Sequence, residues 1–477
     1  MSDTQPRVRE LEAHLKETER KLKEAEKLNR LHPDTGLPIY RFLLQDLETL
    51  IQDDKSTGKM SEGSGCGKKF LQEGNPKAFS VIVIRLDSAY SRIKNTRDRQ
   101  KALLFKSSFR IKNALDKGCL YQGDRLDEFF VLYPGEHSAH QLNQLMQKIA
   151  KDVAGPHDPP VEDIRFGAYV AATMFPTQAK TLDELLTNLE IAAEEAEQIA
   201  GGVSFYSEDL GRRQRHRAVV ESELNKAIQR GFDQFRLVFQ PICGVDGKIR
   251  GAEVLVRWDH PSLGIISPGL FVPLAEANGS IRLLGRWIIF QACRILAEWQ
   301  KTETESIYFS VNLSPVQFLQ KDLVESIVNV IRVNKLKPGT LKIEITEGAI
   351  MEDAQGAVKK MEQLKKEGIR LSIDDFGTGY SSLAYLKELP LDSLKIDKSF
   401  IEDVTRNDNN RAIVRAVISL SKNLGLETLA EGVEFEDQLE LLVAEGVDMI
   451  QGYYFSPPVD GDTFHGYLET GGTLPLS

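Results

Sequence analysis

Two short stretches decide the fold, Leu341-Lys342-Ile343-Glu344-Ile345 and Leu371-Ser372-Ile373-Asp374. In each, aliphatic side chains hold one alternating set and a carboxylate stands on the other, Glu344 opposing the isoleucines and Asp374 doing the same. Successive side chains of a strand point to opposite faces, so the aliphatics meet helices while the acids point into an interior. Asn312 between Val311 and Leu313, and Lys395 between Leu394 and Ile396, repeat the arrangement.

Outward from these, β-branched runs at 235–242, 251–258, 307–314, 341–347, 370–376, 393–397, 426–431 and 449–455 alternate with helical stretches. Repeated strand and helix units imply a parallel sheet. About eight units in roughly 250 residues is the size of a closed TIM-type β/α barrel. An open doubly wound sheet is the alternative on pattern alone. In a barrel the polar groups converge at the C-terminal mouth, where such folds place their chemistry.

A buried carboxylate costs several kcal/mol unless paired or metal-bound, so Glu253, Glu344, Asp374, Asp375 and Glu431 at one mouth require cations. Lys395 alone does not balance them. Oxygen ligands without a His or Cys cluster favour Mg²⁺ or Mn²⁺ over Zn²⁺. Two ions ~3.5 to 4 Å apart would activate a water and stabilise an in-line phosphoryl displacement. Glu427 and Asp397, taken singly, read as a strand-end cap or surface salt bridge. In Asp374-Asp375-Phe376-Gly377-Thr378-Gly379-Tyr380, adjacent carboxylates run into a glycine-permitted loop.

The rest of the 477-residue chain bounds the answer. Hydrophobic residues at 41% and charged residues at 27% are ordinary globular values, excluding wholesale disorder. No run of ~18 apolar residues and no signal-peptide core is present, so neither membrane insertion nor secretion is expected, and the cytoplasm is the default. Cys66, Cys119, Cys243 and Cys293 form no C-x-x-C pair, which fits a reduced compartment. A net charge of -10 argues against nucleic-acid binding through a basic face. His32, His137, His157, His216 and His260 are scattered and read as surface or helix-end residues.

Val8, Leu11, Leu15, Thr18, Leu22 and Ala25 recur in heptad steps, predicting a short coiled coil that pairs two protomers, with a solvated single helix as the alternative. A mixed pattern from Asp34 to Tyr206 predicts a first α/β domain, interrupted by a Gly-, Ser- and Lys-rich insertion at 53–76. Ser64-Gly65-Cys66-Gly67-Lys68-Lys69 is not a phosphate loop, because Glu62 and Lys69 stand where a glycine and a Ser or Thr are required. A charged stretch at 208–217 leads into a connecting helix. The expected organisation is a coiled-coil helix at 1–32, a first domain at 33–207, a linker helix at 208–223 and the barrel at 224–477.

Across 224–468 the chain resembles the bacterial EAL-type cyclic di-GMP phosphodiesterases. The matching motifs are Phe239-Gln240-Pro241-Ile242, Glu253-Val254-Leu255-Val256-Arg257-Trp258, Val311-Asn312-Leu313-Ser314, Glu344-Ile345-Thr346-Glu347, the 374–380 loop, Leu394-Lys395-Ile396-Asp397, Ala430-Glu431-Gly432-Val433-Glu434 and Gln451-Gly452-Tyr453. The resemblance implies that Glu253, Asn312, Glu344 and Asp374 hold metal, with Asp375 completing a second site. It implies that Lys395 orients the attacking water, that Glu431 assists as base or ligand holder beside Glu253, and that Gln451 supports the site. Arg257 and Gln240, with Leu255, would hold phosphate and guanine. Glu347 would pin the loop carrying Phe376, Gly377, Thr378 and Gly379, which in this family couples the site to a dimer interface. The implied reaction opens cyclic di-GMP to linear pGpG, in a homodimer formed through barrel and coiled coil. One departure is Val254 where the signature has Ala; alternation turns it toward the helices.

The first domain resembles the GGDEF fold of diguanylate cyclases through Asp34-Thr35-Gly36-Leu37-Pro38, Asp127-Glu128-Phe129 and the stretch 185–201. Its signature reads Arg125-Leu126-Asp127-Glu128-Phe129, with both glycines replaced by bulky residues that would fill the nucleotide's space. Arg85-Leu86-Asp87 puts a cation where a metal-binding aspartate is expected, and Asp116-Lys117-Gly118-Cys119 lacks the Arg-x-x-Asp inhibitory site. The expectation is a degenerate cyclase acting as a regulatory or dimerising platform, beside an active phosphodiesterase. The alternative is a receptor that binds cyclic di-GMP without hydrolysis and signals through the interdomain helix.

Overall fold

The computed structural model describes residues 30–52, 78–87, 97–155, 166–199, 202–301, 307–351, 353–377 and 386–474, without the side chain of Asp375. The heptad segment 8–25, the insertion 53–76, His157 and the loop positions Thr378 and Gly379 lie outside the described residues. The chain divides into two compact units, Met1–His216 and Arg217–Ser477. Among the described residues no helix is long and apolar enough to cross a membrane.

In the first unit, helix α1 (Tyr40–Gln52) precedes β1 (Phe79–Leu86), α2 (Arg97–Ala114), β2 (Cys119–Gln122), β3 (Glu128–Pro134), α3 (Ala139–Ala154), β4 (Ala168–Phe175), α4 (Leu182–Gln198) and β5 (Val203–Phe205). The strands form one sheet in the order β2-β3-β1-β4-β5, with β1 antiparallel to both neighbours. Every residue of β1 is buried because helices cover both faces. Ile82 and Ile84 belong to a core with Leu103 and Ile111 of α2 and Met146 of α3. Val81 and Val83 pack instead with Leu43 and Leu47 of α1 and Leu189 of α4.

Arg85 interrupts the apolar run of β1 and is neutralised on the spot. Its guanidinium meets Glu128 at 2.9 Å, Glu190 at 2.5 Å and Glu197 at 3.3 Å. Glu190 and Glu197 lie on α4, about two helical turns apart on one face. Burial pushes the Glu128 carboxyl up, and the adjacent guanidinium pulls it back. Arg125 bonds Asp127 at 3.0 Å, while Leu126 is 56% exposed, so neither fills a packed cleft. Cys243 and Cys293 are free and buried.

The second unit is a closed barrel. Its strands are β6 (Phe235–Gly244), β7 (Ile249–His260), β8 (Gly264–Ile266), β9 (Tyr308–Leu313), β10 (Leu341–Thr346), β11 (Arg370–Phe376), β12 (Ser393–Ile396), β13 (Glu427–Glu431) and β14 (Met449–Gln451). They run β6-β14-β13-β12-β11-β10-β9-β7, and a β6–β7 pairing closes the circle, with β8 as a short flap on β7. That closure removes the open doubly wound alternative. The expectation of an all-parallel sheet needs correction, because β6 is antiparallel to both β7 and β14. Only a turn at 245–248 joins β6 to β7, with Gly247 at φ 75, and a parallel partner needs a crossover of a dozen or more residues. The outward set Val311, Leu313, Ile343, Ile345, Leu371, Ile373, Leu394 and Ile396 is at most 2% exposed, buried under the surrounding helices.

The charged stretch at 208–217 and the helix expected after it form one helix, α5 (Glu208–Gln229). Its Val220, Leu224 and Ala227 pack with Phe235, Trp258 and Phe271. His260 is buried at the end of β7 rather than on the surface. Its Nδ1 accepts from the Ser262 and Leu263 amides at 3.2 and 3.0 Å, which leaves Nε2 to donate to Glu223 at 3.2 Å.

Replacing Arg85 by methionine leaves Glu128 buried without its cation. The expected loss is about 3 kcal/mol, read as a lower urea midpoint for the first unit with the barrel transition unmoved. An unchanged midpoint would show that the guanidinium contributes no net stability.

Candidate active site

Each of the eight barrel strands contributes one inward polar group to the same region: Gln240, Glu253, Asn312, Glu344, Asp374, Lys395, Glu431 and Gln451. Register brings them level. Gln240 pairs with Glu253 across β6 and β7, Asn312 with Glu344 across β9 and β10, and Glu431 with Gln451 across β13 and β14.

Lys395 is the centre. Its Nζ lies 2.6 Å from Glu344 Oε2, 3.0 Å from Asp374 Oδ1 and 2.5 Å from Glu431 Oε1. Its side chain is 2% exposed and that of Glu344 is 0% exposed. Ser310 Oγ, on the register partner of Glu253 across β7 and β9, donates to Glu344 Oε1 at 2.5 Å. Glu253 is held by amides: Asn312 Nδ2 donates to Oε1 at 2.6 Å and Gln451 Nε2 to Oε2 at 2.5 Å. Gln451 Nε2 also donates to Gln240 Oε1 at 3.1 Å, which leaves Gln451 Oε1 buried without a partner.

The electrostatics follow from burial against one cation. Burial pushes the Glu344 carboxyl up to about 7, Lys395 opposes this, and Glu253 and Asp374 add to it. Burial likewise pushes Glu431 up to about 8, although 18% of its side chain stays exposed and solvent softens the effect. Burial alone would lower Lys395, but the surrounding carboxylates outweigh it and hold the ammonium charged.

The substrate-side residues flank this cluster. Arg257 and Leu255 share the face of Glu253 on β7, and both are half-buried. Arg257 Nη1 donates to the Val256 carbonyl at 2.9 Å, and among the described residues it forms no ion pair. Burial, then Arg236, lowers its pKa. Glu347 is buried at the start of the helix Glu347–Met351. Phe376 is buried, and Gly377 has φ 97 with the Phe400 ring 3.2 Å from where a Cβ would sit, so a side chain there is strained. Asp397 caps the helix Lys398–Ile401 through the Ser399 amide, and Glu427 pairs with Arg370, the plain structural roles expected of them.

Among the described residues no three His, Cys, Asp or Glu side chains stand in a ready-made metal cage, because the carboxylates close on Lys395. The donor set nevertheless fits a hard cation. It offers only oxygens, it sets four carboxylates against one ammonium, and Gln451 Oε1 is an orphaned acceptor beside them. Ser310 and Lys342 are among the buried polar residues that escaped the sequence reading. The alternation that places Glu344 inside also places Lys342 there.

The EAL domain model matches residues 221–458. The bifunctional diguanylate cyclase/cyclic di-GMP phosphodiesterase MucR of Pseudomonas aeruginosa is 35% identical over 338 residues, 70% of this chain and 49% of that protein. The cyclic di-GMP phosphodiesterase NbdA of the same organism is 35% identical over 390 residues, 80% of this chain and 49% of the relative. The chain thus spans about half the length of these curated relatives. The solved PaMucR phosphodiesterase in complex with c-di-GMP is 40% identical, with a TM-score of 0.50 over 51% of this chain and 98% of its own. A Vibrio cholerae LapD S helix-GGDEF-EAL structure shares the fold alone over 92% of this chain and 99% of its own, at 16% identity and a TM-score of 0.59. With an eight-stranded barrel that gathers Glu253, Asn312, Glu344, Asp374, Lys395 and Glu431, and this match over 221–458, the chain belongs to the EAL domain family.

Proposed function

We propose that the second unit hydrolyses cyclic di-GMP to linear pGpG with Mg²⁺ or Mn²⁺. The observation that carries this reading is Lys395 held between Glu344, Asp374 and Glu431 inside the barrel. It leaves an acid set with more negative charge than one ammonium neutralises. Glu253, Asn312, Glu344 and Asp374, with Asp375, would hold the cations. Asn312 and Gln451 already fix the Glu253 carboxylate in one orientation. When bound, the ions supply Lewis acidity at the scissile phosphate and lower the pKa of the attacking water.

The chain's own groups do the rest. Arg257, which pairs with no carboxylate among the described residues, is available to a phosphate oxygen as a fork of N–H donors. Gln240 and Leu255 border the same face and would seat guanine. Lys395 donates to the attacking water and fixes its approach to phosphorus, opposite the departing 3′ oxygen. The water loses a proton to Glu431, the new P–O bond forms, the bond to the 3′ oxygen breaks, and that oxygen takes up a proton from solvent while Glu431 returns its own to solvent. Burial raises Glu431 toward neutral pH, which suits proton exchange there.

For the first unit we propose a non-catalytic GGDEF-like domain. Arg85 supports this, because a guanidinium saturated by Glu128, Glu190 and Glu197 stands at the strand end where a metal-binding acid would be needed. Pairing of two chains through the barrel and the heptad segment completes the reading.

Purified chain incubated with cyclic di-GMP and Mg²⁺ or Mn²⁺ should yield linear pGpG by chromatography. Binding without product in either metal would favour the receptor reading instead. Glu253→Ala should lower kcat by at least about a hundredfold, since it removes the group held by Asn312 and Gln451. By light scattering the full chain should have a dimer's mass, and removing residues 1–29 should weaken that dimer; an unaltered dimer would place pairing elsewhere.

A further inference from the structure

Beneath the acid cluster the barrel interior holds a second, cationic layer. Lys342 stands two residues before Glu344 on the same inward face of β10 and is 2% exposed. Its Nζ donates to Ser393 Oγ at 3.1 Å, and Ser393 Oγ donates to Ser372 Oγ at 3.0 Å. Ser372 lies opposite Glu344 in register, and Ser393 stands two residues before Lys395, so these hydroxyls sit next to the acid layer. Below, the Lys342 ammonium lies 4.3 Å from the Tyr308 ring centroid, with the Arg370 guanidinium 5.2 Å from the same ring.

These two cations share one carboxylate. Glu427 is 3.9 Å from Lys342 Nζ and bridges to Arg370, and its side chain is 46% exposed. Such a position is ordinarily filled by a branched apolar side chain, and an ammonium there is costly to bury. Packing therefore does not account for it, whereas its charge acts directly on the layer above.

We infer that Lys342 sets how tightly the barrel's acid cluster holds divalent cations: a positive charge beneath Glu344 opposes a cation entering above it. The inference rests on the metal-dependent reading proposed for the site. A unit charge on the order of 10 Å from a divalent ion, in surroundings of intermediate polarity, corresponds to an affinity change of roughly threefold to tenfold after solvent screening. Lys342 is thus a positioning residue for charge and touches no substrate.

The test is a Mn²⁺ titration of the full chain, without substrate, followed by thermal unfolding. Lys342→Met, similar in volume and uncharged, should move the half-saturating Mn²⁺ concentration down by roughly threefold to tenfold. Glu427→Gln, an exposed change that removes only the counter-charge, should move it up by about twofold to threefold. An unchanged or raised midpoint in Lys342→Met overturns the inference. Should that variant not fold, an unchanged midpoint in Glu427→Gln overturns it alone. A wild-type chain with no Mn²⁺ response overturns the metal reading, and this inference with it.

Discussion

The ammonium of Lys395 is the interaction on which the barrel's chemistry depends. Three carboxylates within 3.0 Å of one nitrogen, in a barrel interior, would repel one another strongly without it. Three acids surround the Lys395 ammonium, yet Glu253 stands outside this set and is satisfied by amides instead. The cluster is therefore ordered but remains short of positive charge. Burial expresses the same shortage by raising Glu344 and Glu431.

Closure of the barrel makes this arrangement possible. Lys395 and Glu344 are 51 residues apart, and Gln451 and Glu253 are 198 apart. Only a sheet that returns to its first strand brings the second pair together. The antiparallel β6 completes that return, because it pairs with β7 on one side and β14 on the other and so lets Gln451 reach both Gln240 and Glu253. A hairpin turn of four residues is thus responsible for one wall of the site.

Much of this was legible in the sequence because the strands are short and buried on their outer face. Alternation alone located Glu344, Asp374, Asn312 and Lys395 inside, and the structure puts them together. What escaped reading was either partner choice or chain direction. Asp246-Gly247 is a turn signal, yet the repeat of strand and helix concealed that no helix separates β6 from β7. Lys342 obeys the alternation as well as Glu344 does, but its partner Ser393 is 51 residues away and carries no motif. His260 looked isolated because its cover, Glu223, comes from a helix whose apolar face is specified only by contact with Trp258 and Phe271. Arg85 was readable as a missing acid, but not as the hub of Glu128, Glu190 and Glu197.

The two units place carboxylates near strand ends and resolve them in opposite ways. In the first, arginine brings a planar fork of five donors to Glu128, Glu190 and Glu197, two of which keep 55% and 41% of their side chains in water. Its charge is fixed and its acids are relieved by solvent, so nothing there asks for a further cation. In the barrel, lysine supplies a compact charge with fewer donors, and Glu344 has no exposed side-chain surface at all. Solvent gives Glu344 no relief, and its neutrality must come from protons or from cations. The difference between a closed acid set and an open one therefore comes down to the identity of one basic residue and the depth at which it meets its carboxylates.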